Sequence, residues 1–155
     1  MTETKQAAGG RTVHLALVQF ESVLCDPAAN TQKACRMIAE AAAEGADLVV
    51  LPELFSTGYE LNIVGPHVPE LAEPVDGPTV RALQDAARAG NCYVVAGLAL
   101  AYDMAGVPFN SSVVIDRQGE LLARTTSSIC GRSSASTSAP AATARCSTPT
   151  SGASA

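Results

Sequence analysis

The chain has 155 residues, 47 % of them hydrophobic and 16 % charged, with a formal net charge of −5 and a pI near 4.9. That length suits one domain with a real core. An acidic chain without a basic patch argues against nucleic acid as a partner, and no apolar run reaches the length of a membrane span.

Residues 1–11 are polar, contain two glycines and lack the apolar centre of a signal peptide. They read as a loose tail, and the protein is expected in the cytoplasm. Residues 13–20 read as a first buried strand. Asp26-Pro27 then offers an N-cap with proline at the first helical position. The helix that follows runs to about Glu44. Ala34, Ile38 and Ala41 recur at i, i+4 and i+7 as one buried stripe, and Gly45 stands at the C-terminal cap.

Residues 48–52 form a continuous apolar run ending in Pro52. Such a run reads as a strand buried on both faces, stopped where proline lacks an N–H. Strand, helix and strand make a βαβ unit, expected to be right-handed. Glu53 then falls at the carboxyl end of a strand, the edge where open α/β sheets bind ligands. The apolar neighbours Leu51, Leu54 and Phe55 suit a carboxylate working as a base near neutrality. The alternative reading of Glu53 is an exposed residue that opens a loop.

Between residues 60 and 78 the chain carries Pro66, Pro69, Pro74 and Pro78 with Gly65 and Gly77. This density of breakers predicts a long loop with at most a short turn at residues 62–64. A long loop that begins beside Glu53 reads as functional. Tyr59 is a candidate substrate-binding residue, with core packing as the alternative. Residues 78–89 read as a second helix with Val80, Leu83 and Ala87 inward and Gly90 as its stop. Residues 93–100 read as a third buried strand. Residues 109–116 and 120–124 flank Asp116-Arg117-Gln118-Gly119 and read as a β-hairpin, to which Phe109 and Asn110 are assigned.

The cysteines are Cys25, Cys35, Cys92, Cys130 and Cys146, with no C-x-x-C spacing and no histidine close by in sequence. Neither a metal site nor a disulfide framework is expected, and no cofactor. Cys35 and Cys92 read as small core residues. His14 and His67 have no visible partner. No G-x-G-x-x-G or P-loop follows the first strand, which excludes a nucleotide-binding domain of the ordinary kind.

After Arg124 the composition breaks. Of the 31 residues from 125 to 155, 22 are Ser, Thr or Ala, and Ile129 is the one large aliphatic residue. Such a segment cannot bury a core and is expected to be disordered. The expected organisation is therefore a tail over 1–11, a partial domain over 12–124 and a Ser/Thr/Ala-rich tail over 125–155.

Several segments, Ala16-Leu17-Val18-Gln19, Gly45-Ala46-Asp47-Leu48-Val49-Val50-Leu51-Pro52-Glu53 with Thr57-Gly58-Tyr59, Phe109-Asn110-Ser111-Ser112-Val113-Val114-Ile115-Asp116 and Gly119-Glu120-Leu121-Leu122, together resemble the nitrilase superfamily of carbon–nitrogen hydrolases. The match covers about residues 12–124, roughly the first half of a member. The resemblance implies an α/β fold, the N-terminal half of an α-β-β-α sandwich and hence incomplete. It implies a small-molecule amide, nitrile or carbamoyl substrate, with a homo-oligomer only for an intact version. It also implies a Glu-Lys-Cys site, in which Glu53 matches the general base. A thiol needs a nearby base to become a nucleophile, and a developing oxyanion needs a cation or donors.

The chain departs from that pattern where the lysine and cysteine belong. Lys33 is its last lysine, and Cys130 and Cys146 lie in the Ser/Thr/Ala segment with no buried strand before them. A lost base explains the break. Residues 125–131 can be coded ACC ACA AGC TCC ATC TGT GG. A T restored in front gives TAC CAC AAG CTC CAT CTG TGG, or Tyr-His-Lys-Leu-His-Leu-Trp, the continuation that the resemblance leads one to expect. A lysine then falls at position 127. The same shift over 143–155 permits a Gly-Arg-Ile-Gly ending, as leads into the family's cysteine strand. Cys146-Ser147 constrains the shifted residue at 147 to Phe or Leu when Ser147 uses a TCN codon. The expectation is thus a truncated, frameshifted hydrolase without activity as written. The alternative is a non-catalytic binding module that reuses the fold.

Overall fold

The computed structural model describes residues 12–101 and 108–128. Five strands, β1 (Leu15–Leu17), β2 (Leu48–Val50), β3 (Tyr93–Ala101), β4 (Pro108–Ile115) and β5 (Leu121–Ser128), form one sheet in the order β1-β2-β3-β4-β5. The first three run parallel, and β4 runs antiparallel to both β3 and β5. Helices α1 (Pro27–Ala43) and α4 (Pro78–Gly90) pack together against one face of this sheet. Between β2 and α4 lie two single-turn helices, α2 (Leu61–Val64) and α3 (Val68–Leu71), joined by a 3₁₀ turn at Gly65–His67. This is the α/β half-sandwich, with one helix layer on one sheet.

The main core lies under the helices. Ala34 and Ile38 of α1, Val80, Leu83 and Ala87 of α4, and Val49, Val94, Ala96, Leu98, Leu100, Val113 and Ile115 of the strands are buried in one cluster. Helical spacing of 3.6 and strand spacing of 2 bring these residues to a common plane. Ala41 packs at its edge, and Cys92 is fully buried within it.

Local chemistry sets the element ends. Asp26 caps α1 by accepting the Ala29 N–H at 3.0 Å, with Pro27 at the first position. The first turn of α4 has Gly77 as its cap residue, which brings no side-chain acceptor. Glu73 supplies one instead, accepting from Thr79 N and from Thr79 Oγ1, both at 2.8 Å. In the hairpin turn, Asp116 Oδ1 accepts the N–H groups of Gln118 and Glu120, and Gly119 takes φ +79°.

Five expectations are corrected. The first strand is three residues long, not eight, and Leu17 is 75 % exposed. The second strand is buried on one face only, with Val49 inward and Leu48 and Val50 partly exposed. In both cases the face away from the helices carries no covering layer. The stop of α4 is Asn91, in the left-handed region at φ 49°. Gly90 is still helical, and a Cβ there would lie 2.9 Å from Ala42 Cβ, so its smallness serves the approach of α1. The Pro-rich loop is largely helical turn, because Pro66 and Pro69 stand in first turns, where proline costs no hydrogen bond. Finally, β5 runs to Ser128, so ladder pairing continues across the composition break at Arg124. The tail expected from 129 onward lies outside the described residues.

Candidate active site

Glu53 lies three residues beyond β2 in a turn whose backbone is tied down on every side. The Leu51 N–H donates to Val95 O at 2.8 Å and the Phe55 N–H to Gly97 O at 3.1 Å, so the segment between crosses β3 at Gly97. Gly97 permits this passage. A Cβ there would stand 2.9 Å from Glu53 Cα, closer than real Cβ contacts fall, and a tight 3.3 Å from Pro52 O. Leu54 takes φ 48°, which turns the chain back toward the core, where Phe55 is fully buried.

Asn30 clamps the far side of the same turn. It is buried on α1, and its Nδ2 donates to Ser56 O at 2.8 Å and to Val23 O at 2.7 Å. Its Oδ1 accepts from the Val23 N–H at 2.7 Å. Ser22 Oγ adds a bond to Phe55 O at 2.9 Å, and Cys25 N another to Thr57 O at 3.0 Å. An unpaired buried amide costs about 1–3 kcal/mol, so this clamp is strongly determined. The sequence reading passed over Asn30, whose signal is a polar residue one turn ahead of Ala34 on the buried stripe.

The Glu53 side chain is exposed, as the alternative sequence reading had it. It lies on the face of the sheet away from the helices, where no helix layer lies over it among the described residues. Its hydrogen-bond partner is Asn110 of β4, whose Nδ2 donates to Glu53 Oε1 at 2.5 Å. Asn110 therefore reaches beyond the hairpin role assigned from sequence. Two cavities border Glu53. One, of about 430 Å³, is lined among others by Val95, Gly97, Asn110, Ser112 and Thr125. The other, of about 590 Å³, lies between Phe20, Leu24, Pro52 and Tyr59, with Glu21 and Glu60 beside them. Tyr59 is 58 % exposed on that second cavity and is not a core residue.

None of the three described cysteines lines either cavity. Burial pushes the Cys35 thiol up, and Asp85 pushes it further. Burial also pushes the Cys92 thiol up, partly offset by Arg117. Both shifts disfavour the thiolate, the opposite of what a nucleophile needs. Cys130 and Cys146 lie outside the described residues. His14 meets the site nowhere. Its backbone N–H donates to Asp47 Oδ2 at 3.0 Å, and this bond, helped by the Arg117 guanidinium, holds the Asp47 carboxyl below the usual range. Among the described residues no cluster of three His, Cys, Asp or Glu could hold a metal ion, and no helix is long and apolar enough to cross a membrane.

A mixed sheet, helices on one face and a carboxylate mounted beyond the second strand define an α/β scaffold with an acidic group at the edge of the sheet. The chain belongs to the carbon–nitrogen hydrolase family, whose model matches residues 14–130. It is 41 % identical over 108 residues to a nitrilase of Pyrococcus abyssi, covering 69 % of this chain and 40 % of that protein. It is 34 % identical over 112 residues to an omega-amidase of Homo sapiens, covering 71 % and 38 %. Among solved structures, an amidase from a Nesterenkonia species superposes with a TM-score of 0.62 at 27 % identity, covering 74 % of this chain and 42 % of that one. The chain spans about two-fifths of the length of the curated relatives it matches.

Proposed function

We propose that this chain derives from an enzyme that hydrolyses carbon–nitrogen bonds other than peptide bonds in small amides, nitriles or carbamoyl compounds, with Glu53 as general base. The observation that carries this reading is the register of the hairpin. Residue 127 is the direct cross-strand partner of Asn110, whose side chain holds Glu53. Direct partners share a sheet face, with Cβ atoms about 4.5–5.5 Å apart. Position 127 is where one restored base puts a lysine. A lysine permitted at 127 by the restored frame, opposite Asn110 in the ladder, supports this reading.

In the restored chain Glu53 takes the proton of a cysteine thiol as sulfur bonds to the substrate carbon. A lysine at 127 stabilises the charge that moves onto the carbonyl oxygen or nitrile nitrogen. For an amide, Glu53 then gives its proton to the departing nitrogen, and the C–N bond breaks to leave a thioester. Water attacks the thioester, Glu53 takes the water proton, and the acid and the thiol are released. Tyr59 and Phe20 offer the apolar wall for the substrate's non-reacting part. As written, with serine at 127 and no described thiol at the site, the chain is inactive and acts as a truncated, frameshifted relative in the cytoplasm.

The test is the gene sequence across the Arg124 codon, followed by expression with the base restored. The restored protein is expected to hydrolyse amides or nitriles, and Glu53→Gln is expected to abolish that turnover while changing no turnover in the 155-residue chain, which has none to lose. If restoration opens no lysine and cysteine segments, or if the restored protein works equally well with Gln at 53, the proposal is wrong.

A further inference from the structure

We infer that Asn110 is a positioning residue for Glu53: its amide fixes one carboxylate oxygen so that the other is presented for proton transfer. The inference rests on the reading of Glu53 as base and goes beyond it, because the sequence assigned Asn110 to the hairpin alone.

The geometry has three parts. The Glu53 backbone has no freedom, being fixed at Leu51 N, Phe55 N and Ser56 O and seated on Gly97. The side chain, by contrast, has three rotatable bonds and is exposed. A rigid backbone does not aim a flexible side chain, so a second contact is needed. Asn110 supplies it from the middle strand of the antiparallel part of the sheet, where it pairs with Ala99. Its Nδ2 meets Oε1 of Glu53, and among the described residues Oε2 has no hydrogen-bond partner.

The chemistry of the amide suits this task. The asparagine NH₂ donates without carrying charge. It orients the carboxylate without placing the full positive charge of an arginine or lysine against it. Leaving Oε2 open gives the proton one defined destination on a carboxylate that borders two cavities. Fixing the base in this way removes misdirected conformers, and misplacement by about 1 Å can cost on the order of 10²-fold in rate.

Two measurements test the inference. In the 155-residue chain, the side-chain NH₂ resonance of Asn110, assigned by its loss in Asn110→Ala, is expected to move in one step as pH crosses the carboxylate range. That step is expected to vanish in Glu53→Gln. A resonance that ignores pH, or a step that survives Glu53→Gln, overturns the contact whatever the enzyme does. In the frame-restored chain, Asn110→Ala is expected to lower kcat on the order of 10²-fold with KM nearly unchanged. Asn110→Asp, which keeps the shape but removes the donor and adds a like charge, is expected to move the acid limb of the pH–rate profile upward. Wild-type kcat and an unmoved acid limb in both variants, with Glu53→Gln inactive, would sink the positioning role and leave the base assignment standing. Activity retained in Glu53→Gln sinks the base assignment and the positioning role that rests on it, while the resonance still decides the contact.

Discussion

The two faces of the sheet are built from similar residues and have opposite fates. On the helix side of β3, Val94, Ala96, Leu98 and Leu100 are at most 1 % exposed. On the other side, Tyr93 is 37 % exposed, and its parallel neighbours lead out to Leu15 at 54 % and Leu17 at 75 %. Apolarity alone therefore does not bury a residue. A covering layer does: α1 with α4 supply one on their face, whereas on the other face, among the described residues, Ala99 is buried in a small cluster with Leu54, Val64 and Val68. The family resemblance implies a second sheet on the open face; Glu53 and Asn110 lie on that side, and residue 127 pairs with Asn110 in the ladder. An exposed apolar face of this kind also marks an aggregation hazard.

The comparison is sharpened most by paired truncations. Leu98→Ala is expected to cost about 2–5 kcal/mol by leaving a cavity under the helices, whereas Leu17→Ala should stay within about 0.5 kcal/mol. Urea midpoints of the two variants measure this directly. Equal losses would mean that the open face is covered in solution. A smaller effect is expected at the clamp between the faces. Asn30→Ala removes three hydrogen bonds and should cost about 1–3 kcal/mol. Amide exchange at residues 54–57 is expected to speed up more than exchange in α4. Uniform acceleration would show that Asn30 stabilises the whole domain and not the Glu53 turn.

The smallest effect is electrostatic and lies at the end of the sheet opposite Glu53. The backbone N–H of His14 and the guanidinium of Arg117 hold the Asp47 carboxyl below its usual range. The unfolded chain therefore binds this proton at a higher pH than the folded one. The contribution is present in full above the unfolded value, about 3.9, and is lost as pH falls through the lower folded value. The stability difference between wild type and Asp47→Asn should be flat near neutrality and shrink on acidification below about pH 4. A difference that grows toward acid pH would reverse the assignment.

Much of this architecture was legible in the residues. The Asp26-Pro27 start of α1, the Val80–Leu83–Ala87 stripe of α4 and the Asp116–Gly119 turn depend on contacts within a few positions, so local chemistry suffices to read them. Asn91 and Gly90 were confused because the left-handed cap and the close approach to α1 both suit a small or flexible residue. Only packing against Ala42 separates the two roles. The clamp by Asn30 and the contact from Asn110 to Glu53 span 26 and 57 positions, and no periodicity carries such a pairing.

By itself, then, the sequence determined the order of elements, the inward stripe of each helix, the family and the identity of the one carboxylate worth following. Those follow from side-chain type and local spacing, which any window of the chain displays. The tertiary structure alone decided that Glu53 stands exposed, that Gly97 must lack a side chain beneath it and that Asn110 grips it with residue 127 alongside. Each of these is a meeting of segments far apart in the chain, and only the closed sheet brings them together.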